Sequence, residues 1–362
     1  GIEASGIGIT CANINGSRIG GRRNIIINGA MNVAQRGTSS TSSGYQTVDR
    51  HKISFSGLDE SPTMSQHTLT SGDTGPYEEG FRYSFQIQNG NQTSGLGSSD
   101  EIEYNYRPEA QDLANCGWNY TSSSSFVTLS FWVKSSVAQN FFGYLRTMDG
   151  TGQRFAFETG SLTADTWKKV IVKIPGNSNI QFDNDTAEGM RITLCIAAGT
   201  DDTDDSVSLE TWGAYAGGTR TKDTITTWFT TNDATFEITG LQLEVGPQAT
   251  AFEHRSFGEE LTLCQRYYEG VYMGTGTAIL RTFINNAGGG SDVSNCSYDF
   301  KVEKRASPTW SLEGNATWYP SGTSGMSGYP SKGTCLFQRN DSTAQFLNDA
   351  NGDLCGSFSC EI

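Results

Sequence analysis

From residue 24 onward the chain reads as short segments in which apolar and polar positions alternate. The run Ile25-Ile26-Ile27 stops at Asn28-Gly29, a turn signal. Phe81, Tyr83, Phe85 and Ile87 alternate, as do Ile102, Tyr104 and Tyr106. Val127, Leu129, Phe131 and Val133 fall on one strand face. Trp167, Val170, Val172 and Ile174 lead to Pro175-Gly176, which stops the strand. Met190, Ile192, Leu194 and Ile196 alternate again. Phe236 and Ile238 set one phase, and Leu241, Leu243 and Val245 resume in the other. The slip falls at Thr239-Gly240 and predicts a bulge in a bent strand. Period-two strands separated by long polar loops predict an all-β fold over 24–255, an antiparallel jelly roll or β-sandwich.

The period changes once. Ser256 and Glu259 have the spacing of a capping box. Phe257, Leu261, Cys264 and Tyr268 then share one helical face, which predicts a short connecting α-helix over 256–270. Glu259 and Glu260 suit the positive end of its dipole and Arg266 the negative end. Beyond Gly270, segments such as "PTWSLEG", "ATWYP", "TCLFQ" and "GSFSCEI" restore the strand pattern. They predict a second, smaller β-sandwich-like domain over 271–362. Residues 1–23 carry isolated isoleucines, including Ile7, Ile9 and Ile14, among Gly, Ser and Asn. Alone they cannot offset the entropy of ordering. They would order by packing on identical copies around a shared axis, or else form a flexible lead-in.

Composition agrees with turns and strands: 43 of 362 residues are Gly, and only 35% are hydrophobic. A net charge of −14 with no basic run argues against binding nucleic acid or an anionic membrane. No apolar stretch approaches the length of a spanning helix, so no membrane insertion is expected. The chain begins on Gly1 and reads as a fragment or a processed product, with any targeting or attachment region out of view.

The eight cysteines are irregularly spaced, without a CxxC, and read as mostly free thiols. With three histidines and no ligand spacing, no metal site is assigned. The acidic run at 201–206 lacks the Gly and distal Glu of a calcium loop, the one at 348–353 does not meet the calcium-loop pattern either, and both read as solvated loops. His254 has no nucleophile elbow beside it, and no catalytic residues are assigned. Paired carboxylates for glycoside hydrolysis have no motif here. Glycan recognition is the best-supported chemistry, because sugar CH faces pack on exposed rings. Six aromatics in turn-like surroundings are the candidates: Trp118, Tyr120, Trp212, Tyr215, Trp318 and Tyr319. Burial in a core or an oligomer interface competes with ligand contact at each. Trp132 and Trp167 sit in strand patterns and read as core.

Four ordered segments, "RRNIIINGAMNVAQRGT", "VTLSFWVKSS", "TWKKVIVKIPG" and "ITGLQLEVGPQATAFEHRSFGEELTLCQRYYE", together resemble a family of bacteriophage tail-fibre and virion structural proteins. The resemblance spans roughly residues 8 to 270. It departs at Asp49-Arg50-His51, where the family carries an aromatic after Asp-Arg. It implies a jelly roll similar to carbohydrate-binding modules, then a variable tip. It implies a non-enzymatic homotrimer, made in the host cytoplasm and carried on the virion. Such a protein would meet other tail proteins through the upstream region and a host-surface glycan or protein through its tip. On that reading Ile7, Ile9, Ile14, Phe257, Leu261, Cys264 and Tyr268 are oligomer or interdomain interface candidates. No cofactor is implied beyond a structural calcium of the related modules, whose acidic ligand would fall near Thr239. The alternatives are the carbohydrate-binding module of a secreted polysaccharide-degrading enzyme, a phage depolymerase, and a virion component without receptor contact.

Overall fold

The structure, a computed structural model, describes residues 23–272, 293–312, 327–339 and 354–362. It also describes the short strands at 13–14, 17–18, 283–285, 317–319 and 346–348. It divides into two units, Gly1–Arg255 and Ser256–Ile362.

In the first unit, β1 (Asn13–Ile14) pairs with β2 (Ser17–Arg18). Then follow β3 (Ser39–Ser40), β4 (His51–Ser56), β5 (Thr63–Thr68), β6 (Tyr83–Gln88) and β7 (Glu101–Tyr106). A single helical turn, α1 (Ala110–Ala114), precedes β8 (Phe126–Ser135), β9 (Phe142–Thr147) and β10 (Gln153–Glu158). The unit ends with β11 (Lys168–Pro175), β12 (Met190–Ala198), β13 (Trp212–Ala214) and β14 (Thr235–Val245). Two antiparallel six-stranded sheets result, in the orders β13-β10-β9-β12-β7-β4 and β11-β8-β14-β6-β5-β3. They form the expected jelly-roll sandwich.

The alternation in sequence becomes the alternation in space. Val127, Leu129, Phe131 and Val133 of β8, Ile102, Tyr104 and Tyr106 of β7, and Ile192, Leu194 and Ile196 of β12 all point between the sheets and are buried. β11 shows the edge pattern clearly: Val170, Val172 and Ile174 are buried, while Ile171 and Lys173 face outward. The slip in β14 is the expected bulge, with the register against β8 shifting between Thr239 and Gln242. Gly240 sits there at φ 63°, and a Cβ on it would lie 2.7 Å from the Phe81 ring. Residues 24–29 run beside this strand, with Ile25 N–H donating to Leu243 O (2.9 Å) and Leu241 N–H to Gly29 O (2.9 Å).

Trp167 is buried, as its strand pattern suggests, and Trp132 is partly buried in the same cluster. Neither lies between the sheets. They cover the outer face of the second sheet with Leu69, Phe81, Tyr77 and Phe252, under the segment that links β5 to β6. Indoles suit this place because each ring has a polar end: Trp167 donates to Asp73 (3.0 Å) and Trp132 to Glu79 (3.0 Å).

The second unit opens with α2 (Phe257–Gln265), whose capping box is formed by Ser256 and Glu259. Its strands are β15 (Tyr268–Tyr272), β16 (Phe283–Asn285), β17 (Val293–Asp299), β18 (Thr309–Leu312), β19 (Thr317–Tyr319), β20 (Ser327–Pro330), β21 (Thr334–Arg339), β22 (Phe346–Asn348) and β23 (Leu354–Ser359). The helix is shorter than its sequence pattern suggests. Tyr268, expected on the helical stripe, begins β15 and pairs with Ser359. A tight turn, Tyr267 N–H to Cys264 O at 2.9 Å, ends the helix there. Aromatic residues fit strands well, and pairing with β23 overrides the helical period. β23 lies between β15 and β18. Its Phe358 is ringed by Tyr298, Phe300, Trp310 and Phe337. Beside them Lys304 and Glu269 form a fully buried ion pair at 2.5 Å.

Candidate functional site

A cleft of about 510 Å³ opens at one edge of the jelly roll, lined by Thr151, Gln153, Asn177, Asn179, Gln181, Trp212, Gly213 and Ala214. Three pieces of chain build it: the turn from β9 to β10, the loop after β11, and the edge strand β13. Each is held in place. Trp212 lies opposite Phe155 in the β10–β13 ladder, and their ring centroids are 5.3 Å apart. The indole N–H donates to Pro175 O at 2.7 Å, which ties β13 to the end of β11. Asn177 Oδ1 accepts from Asn179 N–H (2.8 Å), and Asn177 N–H donates to Tyr120 O (2.8 Å). Gly150, at φ 62°, makes the turn that brings Thr151 to the rim; a Cβ there would come within 2.9 Å of Gln181 Oε1.

The result is a half-buried indole whose polar edge is already satisfied, facing four side-chain amides and a hydroxyl. An amide offers both donors and acceptors. An apolar ring face beside such groups suits a ligand that is apolar on one side and hydroxylated on the other. A second cleft, about 280 Å³, lies between Asn24, Ile25, Gln111, Asp112, Asn115 and Cys116 and has no ring in its lining.

The sequence candidates separate. Trp212 lines the larger cleft. Tyr215 follows on the other side of β13, with the Arg146 guanidinium 3.7 Å over its ring. Trp118 is 3% exposed and belongs to the core, with Tyr120 and Phe182 against it. Its ring is therefore not open to a ligand. Tyr120 is half-buried on Phe182 at 4.8 Å. Trp318 and Tyr319 lie on β19, and Ile14 on β1, with side chains outside the described residues; Ile7 and Ile9 lie outside them altogether. On α2, Phe257 is 59% exposed, Leu261 is half-buried and Cys264 is buried. The cleft amides carry no sequence signal that groups them. They lie in turn-like stretches that become neighbours only when the sheets stack.

A long segment, 199–222, delivers β13 to this edge. It folds over the outer face of the first sheet, where Val207 and Leu209 pack on Tyr144, Ala156 and Cys195. Arg220 clamps it, reaching Glu101 (2.9 Å), Glu103 (3.1 Å) and Asp202 (2.7 Å). Burial and the nearby Glu101 push the Glu103 carboxyl above its usual range, and Arg220 opposes this. The acidic run thus spends Asp202 on the clamp, Asp201 on the Ser98 hydroxyl and Asp204 on the Ser206 N–H.

The donor set near Thr239 does not fit calcium. Thr239 brings no carboxylate, and its hydroxyl donates to Tyr83 O (2.7 Å). The nearby Glu244 accepts from Gln242 (2.9 Å), Thr250 N–H (2.8 Å) and the Thr250 hydroxyl (2.6 Å). Glu253 accepts from Arg23 and Asn24 N–H groups and pairs with Arg255. Burial would raise the Glu253 carboxyl, but those N–H bonds hold it below its usual range. Oxygens committed to N–H and O–H donors are poor cation ligands. Among the described residues no group of three or more His, Cys, Asp and Glu is placed to hold a metal ion. His254 bonds the Glu79 carbonyl (2.8 Å) and packs on Phe81 and Phe252. Cys195 and Cys360 are free thiols. Among the described residues no helix is long and apolar enough to cross a membrane.

No protein-family model matches the sequence, and no curated protein does. Solved structures with some similarity include the enzymatically active domain of tailspike protein 4 of bacteriophage CBA120, at 10% identity and TM-score 0.31. That match covers 61% of this chain and 21% of the tailspike chain, so this chain spans about a fifth of its length. Another is the N-terminal cellulose-binding domain of Cellulomonas fimi β-1,4-glucanase C, at 9% identity and TM-score 0.27, covering 60% of this chain and 99% of that one. A third is the family 11 carbohydrate-binding module of Clostridium thermocellum in complex with a mixed-linked tetrasaccharide, at 11% identity and TM-score 0.26, covering 60% and 98%. Similarity this low carries no argument about what the chain binds.

Proposed function

We propose that this protein is a non-catalytic glycan-binding component of a phage virion, a tail fibre or spike that attaches to the host surface. The observation that carries the binding part is the Trp212 cleft: a fixed, half-buried indole opposite Gln153, Asn177, Asn179 and Gln181 at the open edge of a rigid sandwich. A sugar ring laid on the indole would exchange its hydroxyl hydration for the amides at little cost in ordering, because the site is preformed. The virion part rests on the four sequence segments that resemble tail-fibre proteins. On this reading the chain is a homotrimer.

Screening the full chain against immobilised bacterial surface polysaccharides tests the binding part. The expected result is retention that free oligosaccharide competes away. Loss of polymer viscosity or release of reducing ends on incubation would instead establish a depolymerase.

A further inference from the structure

Across the outer face of the first sheet, Arg154 of β10 stands opposite Arg146 of β9, and Arg146 stands opposite Arg191 of β12. Like charges directly opposite one another destabilise an antiparallel pair. Among the described residues, only one of the three has a counter-charge. Arg191 is held by both oxygens of Glu188, at 2.8 and 3.0 Å. Arg146 lies over the Tyr215 ring, and its buried Nε has no hydrogen-bond partner. Arg154 is 9% exposed, and its Nε and Nη1 have no partner either. Among the described residues no carboxylate pairs with Arg146 or Arg154. A buried guanidinium without a partner forfeits several hydrogen bonds and a counter-ion.

The place of Arg154 connects this strain to the cleft. Its register partner on the other side is Gly213, and a Cβ there would lie 3.1 Å from Arg154 Nη2. Gly213 also lines the Trp212 cleft. The side-chain-free residue therefore separates the guanidinium from the cleft by backbone alone. A planar fork of N–H donors matches an oxyanion better than any other ligand.

We propose that Arg154, with Arg146 beside it, forms a subsite for an oxyanion carried by the glycan, a sulfate ester or a uronate carboxylate, at the Gly213 border of the Trp212 cleft. The glycan-borne form rests on the reading of that cleft given above; the oxyanion site itself does not. Burial also lowers the Arg154 guanidinium from its usual pKa, the strain that a bound anion would relieve.

Thermal unfolding and calorimetry of the full chain in sodium sulfate against sodium chloride at matched ionic strength test the site. Sulfate is expected to raise the midpoint of the native chain, and Arg154→Gln to weaken sulfate binding about tenfold or more. No sulfate-specific effect on the native chain overturns the proposal, and so does an undiminished effect in Arg154→Gln. Arg146→Gln serves if the first variant does not fold, with a smaller loss expected and an unchanged response overturning. A matched pair of oligosaccharides, with and without one sulfate ester, then tests the source. Tighter binding of the sulfated form by the native chain, lost in Arg154→Gln while the neutral form still binds, supports it. Equal binding of the pair beside a clear sulfate effect overturns the glycan-borne form. A sulfate effect with neither oligosaccharide bound does the same, and counts against the cleft reading rather than against the anion site.

Discussion

His51 is fully buried between the sheets, against Tyr104 and Tyr106. Its ring nitrogens meet the Tyr104 hydroxyl (2.6 Å) and the Asn28 carbonyl (3.0 Å). A neutral ring satisfies both contacts: Nε2–H donates to the carbonyl, and Nδ1 accepts from the hydroxyl. Burial, partly opposed by that carbonyl, lowers its pKa to about 3. The unfolded chain binds a proton on this residue near pH 6.5, and the folded one does not until about pH 3. Stability contributed by the neutral ring is therefore complete above pH 6.5 and lost as pH falls from there towards 3. We expect denaturant unfolding of the native chain to lose more stability over that window than His51→Gln does, by up to about 1.4 kcal/mol per pH unit. Parallel pH profiles would contradict the assignment. His51 is the point where the sequence departs from the resemblance, and its ring packs on Tyr104 and Tyr106 while closing a polar network. Sequence shows the departure but not the network, which needs residues 28, 51 and 104 at one point. The candidate aromatics teach the same lesson. Trp118 and Trp212 both lie in Gly-containing, turn-like stretches, yet one is core and the other lines a cleft. The difference is set by which loop packs above each ring.

At the level of elements, period-two alternation is a reliable guide wherever one strand face meets the core, as in β7, β8, β11 and β12. It also locates the β14 bulge, because a phase slip has no other cheap explanation. Gly240→Ala should test that directly. The added Cβ meets the Phe81 ring at a left-handed φ of 63°, and the variant should lose about 2–3 kcal/mol of stability in denaturant melts. A loss below 0.5 kcal/mol, the range of ordinary surface changes, would mean the bulge relaxes. Other elements are poorly legible. β5, "TMSQHT", carries one apolar residue and is recognisable only from its pairing with β6. Tyr268 fits the helical stripe and the strand equally well in sequence; its partner Ser359 decides. The cleft is built from loop ends and a three-residue edge strand, the elements with the least pattern of their own.

For the whole molecule, two β units of unequal size follow from the sequence pattern. The trimer is an inference from resemblance and from the isoleucines before residue 23. Light scattering on a sizing column should give about three times 39.2 kDa. A monomer at micromolar concentration would remove the shared-axis argument for this chain. The central claim is the Trp212 cleft, and calorimetric titration of a neutral oligosaccharide recovered from the polysaccharide screen tests it most directly. The native chain should bind, and Trp212→Ala should bind about tenfold or more weakly while still folded, at a lower unfolding midpoint because the packing on Phe155 and the bond to Pro175 are lost. Equal affinity in a folded Trp212→Ala chain would contradict the account and move glycan binding elsewhere.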